Sequence, residues 1–303
     1  MLYGSGKYTY KLDQKWAKLP PGMEFGQVTA AATDSKGNVY AFNRSNRPVF
    51  VFDRQGNYLK DWGADVFSNR GAHGLVITAE DVIYCTDWVD HVVVKMSTDG
   101  KMLSQMGTKG VPADSGYIKG PDLLKQLHTI THAGPPFNQP TKLMIAPGGD
   151  MFATDGYGNA AVHHFSASGT LIKTWGGPGS GPGQFMLPHG LWVSKDGKVY
   201  VADRENHRVQ VFTTDGEFIE QWANWMRPAD VFIDPDGMIY VAEIDGRITI
   251  TDPTGKIVSR FGDTPDPSQS PVRTAHSIWV DDRGDIYLGL LGTGPKIEKL
   301  IRQ

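Results

Sequence analysis

Pro188 to Asn206 reads PHGLWVSKDGKVYVADREN. A short apolar run, Leu191-Trp192-Val193, leads into a Lys-Asp-Gly turn. A second run, Val199-Tyr200-Val201-Ala202, alternates across that turn and stops at the polar break Asp203-Arg204-Glu205-Asn206. This is the signature of two antiparallel strands joined by a tight turn. The same pattern, without gaps over its first half, starts at Val28, Ala72, Pro140, Pro228 and Ala275. Most copies continue into a third strand such as Val209-Gln210-Val211-Phe212, then a turn and a fourth strand ending near Trp62, Met106, Trp175, Trp222 or Phe261. Such a four-stranded unit cannot bury both faces alone, so the units must stack around an axis. The expected fold is all-β, a six-bladed β-propeller in one domain over residues 1–303. The sixth copy ends near Leu300 with its outermost strand missing, and Tyr8-Thr9-Tyr10-Lys11-Leu12 alternates correctly to supply it, which would remove an open sheet edge. One stretch breaks the pattern, a Gly-, Pro- and His-containing insertion over residues 108–139.

The 30 basic and 33 acidic residues leave a net charge of −3, so no positive field exists to recruit nucleic acid or an anionic membrane. A small-molecule or short peptide-like substrate is the expected partner. The chain opens MLYGSGKYTYKLDQKW, without a basic patch followed by an apolar run, and it has a single cysteine, Cys85, in an apolar strand. The expectation is a cytoplasmic setting and a buried, inert thiol.

The innermost strand of each blade lines the axial channel, so one repeat position from every blade forms a ring. Aligned, that ring is Thr29, His73, Thr141, His189, Ala229 and His276. Histidine occupies every second blade. Three imidazoles converging from a rigid scaffold, with a fourth position open, suit Zn2+ or a similar divalent metal. The remaining histidines, His91, His128, His132, His163, His164 and His207, fall at turns, in the insertion or on an outer strand, and most are expected to be solvated. A second ring, where the second strands end, carries Arg44, Asp87-Trp88, Tyr157 and Arg204. Arginine can fork a carboxylate, and tyrosine beside a cation can serve as a base.

The segments FNQPTKLMIAPGGDMFATDGYGN (Phe137 to Asn159) and GQFMLPHGLWVSKDGKVYVADRENHRVQVF (Gly183 to Phe212) are similar to the catalytic domain of peptidyl-α-hydroxyglycine α-amidating lyases, propellers of the NHL-repeat group. The resemblance implies cleavage of a carbinolamide C–N bond to an amide and glyoxylate. It implies zinc on His73, His189 and His276, Tyr157 as base, and Arg44 and Arg204 positioning substrate. It further implies a channel calcium held at Ala31, Leu75 and an aspartate, but that aspartate is Ser277 here, a much poorer ligand for a hard dication, so calcium is expected to be weak or absent. A pocket methionine of the family matches Thr274, which with Trp88 is placed in the substrate pocket, and a bridged cysteine pair matches Asn138 and Gly158. Two other classes fit the same scaffold: a non-enzymatic NHL propeller binding a protein partner, and a metal-dependent hydrolase such as a lactonase.

Overall fold

The computed structural model describes residues 1–264 and 270–303. Two strands come first in the chain but last in the ring, β1 (Leu2–Ser5) and β2 (Tyr8–Asp13). Six sheets then follow in order around the axis. Blade 1 holds β3 (Gln27–Thr33), β4 (Val39–Arg44), β5 (Val49–Phe52) and β6 (Tyr58–Trp62). Blade 2 holds β7 (Ala72–Ile77), β8 (Val82–Asp87), β9 (Val92–Ser97) and β10 (Met102–Met106). Blade 3 holds β11 (Pro140–Ile145), β12 (Met151–Asp155), β13 (Ala161–Phe165) and β14 (Leu171–Gly176). Blade 4 holds β15 (Pro188–Val193), β16 (Lys198–Asp203), β17 (Arg208–Thr213) and β18 (Phe218–Trp222). Blade 5 holds β19 (Pro228–Ile233), β20 (Ile239–Glu243), β21 (Arg247–Thr251) and β22 (Ile257–Phe261). Blade 6 holds β23 (Ala275–Val280), β24 (Ile286–Leu290) and β25 (Ile297–Arg302).

The fold is therefore the six-bladed propeller the repeats predict, with the strands within each blade paired antiparallel. The N-terminal strand closes it as expected: β2 pairs with β25, Leu12 opposite Leu300. The chain adds one strand beyond the expectation, since β1 pairs with β2 and gives blade 6 five strands. Tyr10 is fully buried against Phe261 of blade 5, and Tyr8 meets Tyr240 edge to face. Apolar side chains of neighbouring sheets pack face to face between blades, which is why single blades read as half-buried strands yet hide both faces.

All six innermost strands share one irregularity. The β3–β4, β7–β8, β11–β12, β15–β16, β19–β20 and β23–β24 pairings each shift register at the residues of the first ring. A bulge places an extra residue in one strand and re-aims its side chain. Here it recurs at Thr29, His73, Thr141, His189, Ala229 and His276, the positions that face the axis.

The insertion between β10 and β11 contains one short helix, α1 (Leu123–Leu127), capped by the Asp122 side chain on the Lys125 amide. Its far end is fastened to blade 3. The Ser115 hydroxyl donates to the Gly158 carbonyl at 2.5 Å, the Gly158 amide donates to the Asn138 carbonyl at 3.1 Å, and the Asn138 amide donates to Asp155 at 2.6 Å. Asn138 and Gly158, the positions that match bridged cysteines in the resembling family, are thus neighbours joined through main-chain hydrogen bonding. A Cβ at Gly158 would lie 2.2 Å from Asn138 Oδ1, so the glycine is required by that approach.

Candidate metal centre and its rim

His73, His189 and His276 meet on the axis. Their ring centroids form a near-equilateral triangle of 4.7, 4.7 and 4.6 Å, and one nitrogen from each lies within 4.8 Å of the others. All three rings are 2% exposed, which leaves the centre closed to bulk water.

The blades between them supply what the histidines need. His73 Nδ1 lies 2.7 Å from the Thr141 carbonyl, His189 Nδ1 2.6 Å from the Ala229 carbonyl, and His276 Nδ1 2.7 Å from the Thr29 carbonyl. A carbonyl only accepts, so each Nδ1 carries the proton and each Nε2 presents a lone pair. His73 Nε2 and His276 Nε2 are buried without a partner. Burial first, and the neighbouring imidazoles and arginines after it, hold His73 and His189 well below the usual histidine range. His276 is pushed down to about 3, by burial first and then by Arg44. Three neutral imidazoles with inward lone pairs, two of them without a partner, fit a divalent metal of borderline softness, and the carbonyls are the outer partners such ligands normally have. The alternation of histidine with Thr29, Thr141 and Ala229 is therefore one ring of ligands and their orienting carbonyls. Sequence reasoning missed the second half of it, because a main-chain carbonyl leaves no mark in the residue types.

Tyr157 stands over this centre. Its ring lies 5.3 Å from His73 and 5.8 Å from His189, and its Oη is 3.4 Å from His189 Nε2. Arg204, 3% exposed, donates to Tyr157 Oη at 3.0 Å while its Nε donates to Glu205 at 2.8 Å, and Glu205 also accepts from Arg227. Arg44 sits over the Trp88 indole at 5.2 Å and donates to the Ala72 carbonyl, which holds its guanidinium beside His73. Burial lowers its ordinary affinity for a proton, with Tyr157 opposing that shift and Arg70 adding to it. Trp88 completes the wall, 5.1 Å from Tyr157 and 6.5 Å from His73. Thr274, in the left-handed region at φ +59, turns its hydroxyl to the Gly292 amide at 2.9 Å. Thr274 lies in the loop that enters blade 6, its amide donating to the Ile244 carbonyl at 3.0 Å.

The axial cavity, about 20 Å³, is lined by the three histidines together with Ala31, Leu75, Ser277, Lys142 and Asp230. Lys142 Nζ lies 2.5 Å from Asp230 Oδ1, and both side chains are more than nine-tenths buried. Asp230 also accepts from the Ile278 and Val231 amides. Gly190 permits this approach, since a Cβ there would stand 2.5 Å from Asp230 Cα. The Ser277 hydroxyl accepts from the Gly289 amide at 3.2 Å. These residues do not fit calcium: the carboxylate present is paired with a lysine, and an ammonium already supplies the positive charge.

The other histidines correct the expectation in part. His163 is wholly buried, between Asp155 at 3.3 Å and Thr174 at 2.9 Å, and His164 stacks on Phe152 at 4.3 Å. They face inward because β13 is covered by its neighbours. His128, His132 and His207 are exposed, and His91 and His207 adopt left-handed turn conformations. Cys85 is fully buried, and burial pushes its thiol up. No helix among the described residues is long and apolar enough to cross a membrane.

A family model for the NHL repeat matches residues 185–212. Human NHL repeat-containing protein 3 is 30% identical over 268 residues, covering 83% of this chain and 72% of the relative. The chain belongs to the NHL-repeat propeller family. Within that family its relatives include Drosophila melanogaster peptidyl-alpha-hydroxyglycine alpha-amidating lyase 1, 28% identical over 82% of this chain and 48% of that protein. Xenopus laevis peptidyl-glycine alpha-amidating monooxygenase B is 28% identical over 91% of this chain and 34% of that protein. The NHL propeller thus spans half or less of these amidating relatives. A streptogramin B lyase structure superposes with a TM-score of 0.67 at 16% identity, covering 97% of this chain and 98% of that one, which shows the shared fold. Several of the chain's relatives are named as lyases.

Proposed function

We propose that the protein is a metal-dependent lyase that cleaves the C–N bond of an α-hydroxy amide, releasing an amide and a carbonyl product such as glyoxylate. The observation that carries this reading is the placement of Tyr157 Oη, 3.4 Å from His189 Nε2 and 3.0 Å from the Arg204 guanidinium. A phenolic oxygen is held at the edge of a ligand set with a cationic donor on it. Zinc or a similar ion on His73, His189 and His276 would supply a positive charge that makes a nearby hydroxyl easier to ionise. The side chains divide the remaining work. Tyr157 takes the proton from the substrate hydroxyl, and Arg204, donating to the same oxygen, supplies the charge that a phenolate oxygen needs. As the O–H electrons form the carbonyl, the C–N bond breaks, and its electron pair with one proton, returned from Tyr157, makes the neutral amide. Arg44, on the His73 side of the rim, forks the carboxylate that becomes part of glyoxylate. Burial of the centre excludes water that would otherwise compete for the oriented lone pairs.

The test is glyoxylate release from N-acyl-α-hydroxyglycines by the metal-loaded protein, with metal content measured in parallel. Tyr157→Phe, which keeps the ring and removes the hydroxyl, should lower kcat by about 10²–10⁴-fold with metal content unchanged. A wild-type protein that holds its metal but turns over none of these substrates would overturn the reading.

A further inference from the structure

The rim holds its two arginines in different ways. Arg44 donates to a main-chain carbonyl and to the Gln27 amide oxygen, whereas Arg204 is held by a carboxylate that a third arginine also grips. Arg204 and Glu205 are neighbours on one 3₁₀ turn, Arg204–Asn206, which the loop entering blade 4 pins. The Arg204 amide donates to the Leu187 carbonyl at 3.1 Å and the Glu205 amide to the Met186 carbonyl at 3.0 Å. The Glu205 side chain is 7% exposed and accepts from Arg204 Nε at 2.8 Å through Oε1. Arg227 closes on both of its oxygens, Nη2 to Oε1 at 2.7 Å and Nε to Oε2 at 3.2 Å. We propose that Glu205, clamped by Arg227, is a positioning residue that sets the Arg204 guanidinium on the Tyr157 hydroxyl. The inference rests on the lyase reading and adds to it the device that aims the cationic donor.

Arg204 has two attractive places beside Tyr157. Its Nη1 lies 3.0 Å from Oη and its guanidinium carbon 5.4 Å from the ring centroid, so the ring face competes with the oxygen for the charge. A long side chain left to itself divides between the two, and a misplacement of about 1 Å is costly to a reaction. Glu205 removes that choice by holding Nε of the same planar group, since fixing one edge of a rigid fork fixes the other. A carboxylate on its own would do this poorly, because its side chain turns and its charge cancels that of Arg204. Arg227 answers both problems: its grip is bidentate, and it shares the negative charge. Burial would raise the Glu205 carboxyl, but the contacts with Arg227 and Arg204 outweigh it and hold the group below its usual range, so the clamp is ionised. The backbone aims Arg227 at its target. It stands directly before β19 in the left-handed region at φ +52, and its carbonyl accepts from the Ile244 amide at 3.1 Å. Gln139, Leu187 and Thr274 take the same conformation before β11, β15 and β23, so the turn is common to blades 3 to 6. What is particular to blade 5 is a long, charged side chain at that turn, which crosses to Glu205 of blade 4 and also donates to Asp245 at 3.2 Å.

Glu205→Ala and Arg227→Gln would be compared with the metal-loaded wild type for glyoxylate release from N-acetyl-α-hydroxyglycine, with metal content measured in each. The expected result is a fall in kcat of about 10–100-fold in Glu205→Ala and a smaller fall in Arg227→Gln, with KM within about threefold and metal content unchanged. A change in KM alone, or a loss of kcat that only follows a loss of metal, would overturn the positioning role. A second readout needs no turnover. The Arg204 Nε–H signal, assigned in proton–nitrogen correlation spectra by its disappearance in Arg204→Lys, should exchange slowly with water in the wild type and about tenfold or more faster in both variants. Should Glu205→Ala fail to fold, Arg227→Gln, at a side chain 31% exposed, carries both readouts. An exchange rate that the variants leave unchanged overturns the clamp whatever the activities. A wild type that cleaves no hydroxyglycine, with exchange rates that shift as expected, rejects the lyase chemistry and leaves the clamp standing.

Discussion

His189 shows how much depends on single atoms. Its Nδ1 is committed to the Ala229 carbonyl and its Nε2 points to the axis, so replacement by alanine removes one of three inward lone pairs. His189→Ala should lose most of the bound metal, measured by elemental analysis after dialysis, because two imidazoles cannot fill a tetrahedral shell. Lys142 is the second such residue. Lys142→Met leaves Asp230 buried without its counter-charge, and should lower stability by about 3–5 kcal/mol in denaturant unfolding. The double change Lys142→Met with Asp230→Asn removes both charges and should recover part of that loss. Calcium added to the wild type is expected to leave its melting temperature unchanged, since the ammonium occupies the electrostatic role. A stoichiometric, stabilising calcium ion would contradict that account.

Elements are tied to one another by acids at the ends of the second strands. Asp203 accepts from the Met186 amide, Glu243 from the Met226 amide and Asp155 from the Asn138 amide, each anchoring the loop that enters its own blade. Such residues read in sequence as a polar break between strands, and only the folded loop reveals the bond they make. The seam between the N-terminus and β25 carries a titratable version of the same device. Glu298 is buried, accepts from Gln14 at 3.0 Å through one oxygen, and has its other oxygen unpartnered. Burial pushes its carboxyl from 4.5 up to about 7. The folded protein therefore retains a proton there that the unfolded chain has already lost, so this group's contribution is full below about pH 4.5 and is lost as pH rises through about 7. Glu298→Gln mimics the protonated form. It should raise the melting temperature by about 2–5 °C at pH 8 and leave it nearly unchanged at pH 5.

At the scale of the whole molecule, closure and centre are one system. His276 lies on blade 6, and the carbonyl that orients it belongs to Thr29 of blade 1, across the seam that β2 closes. Deleting residues 1–13 exposes the edge of β25 and removes the buried Tyr8 and Tyr10, and should lower the melting temperature by about 10 °C or more. Metal affinity should fall with it, through His276, even though no ligand is altered. A truncated protein with undiminished metal content would separate closure from the centre. The repeat count, the strand alternation, the closing strand and the convergence of His73, His189 and His276 were all determined by the sequence itself. Period-2 patterning and equivalent repeat positions are local properties that survive translation into a ring. What only the tertiary structure decided is everything made between blades: the Thr29, Thr141 and Ala229 carbonyls that set the tautomers, the Lys142–Asp230 pair, and the insertion fastened to Gly158. Those depend on main-chain atoms, which all residues share, and on partners up to 247 residues apart in the chain, brought together when the six blades close.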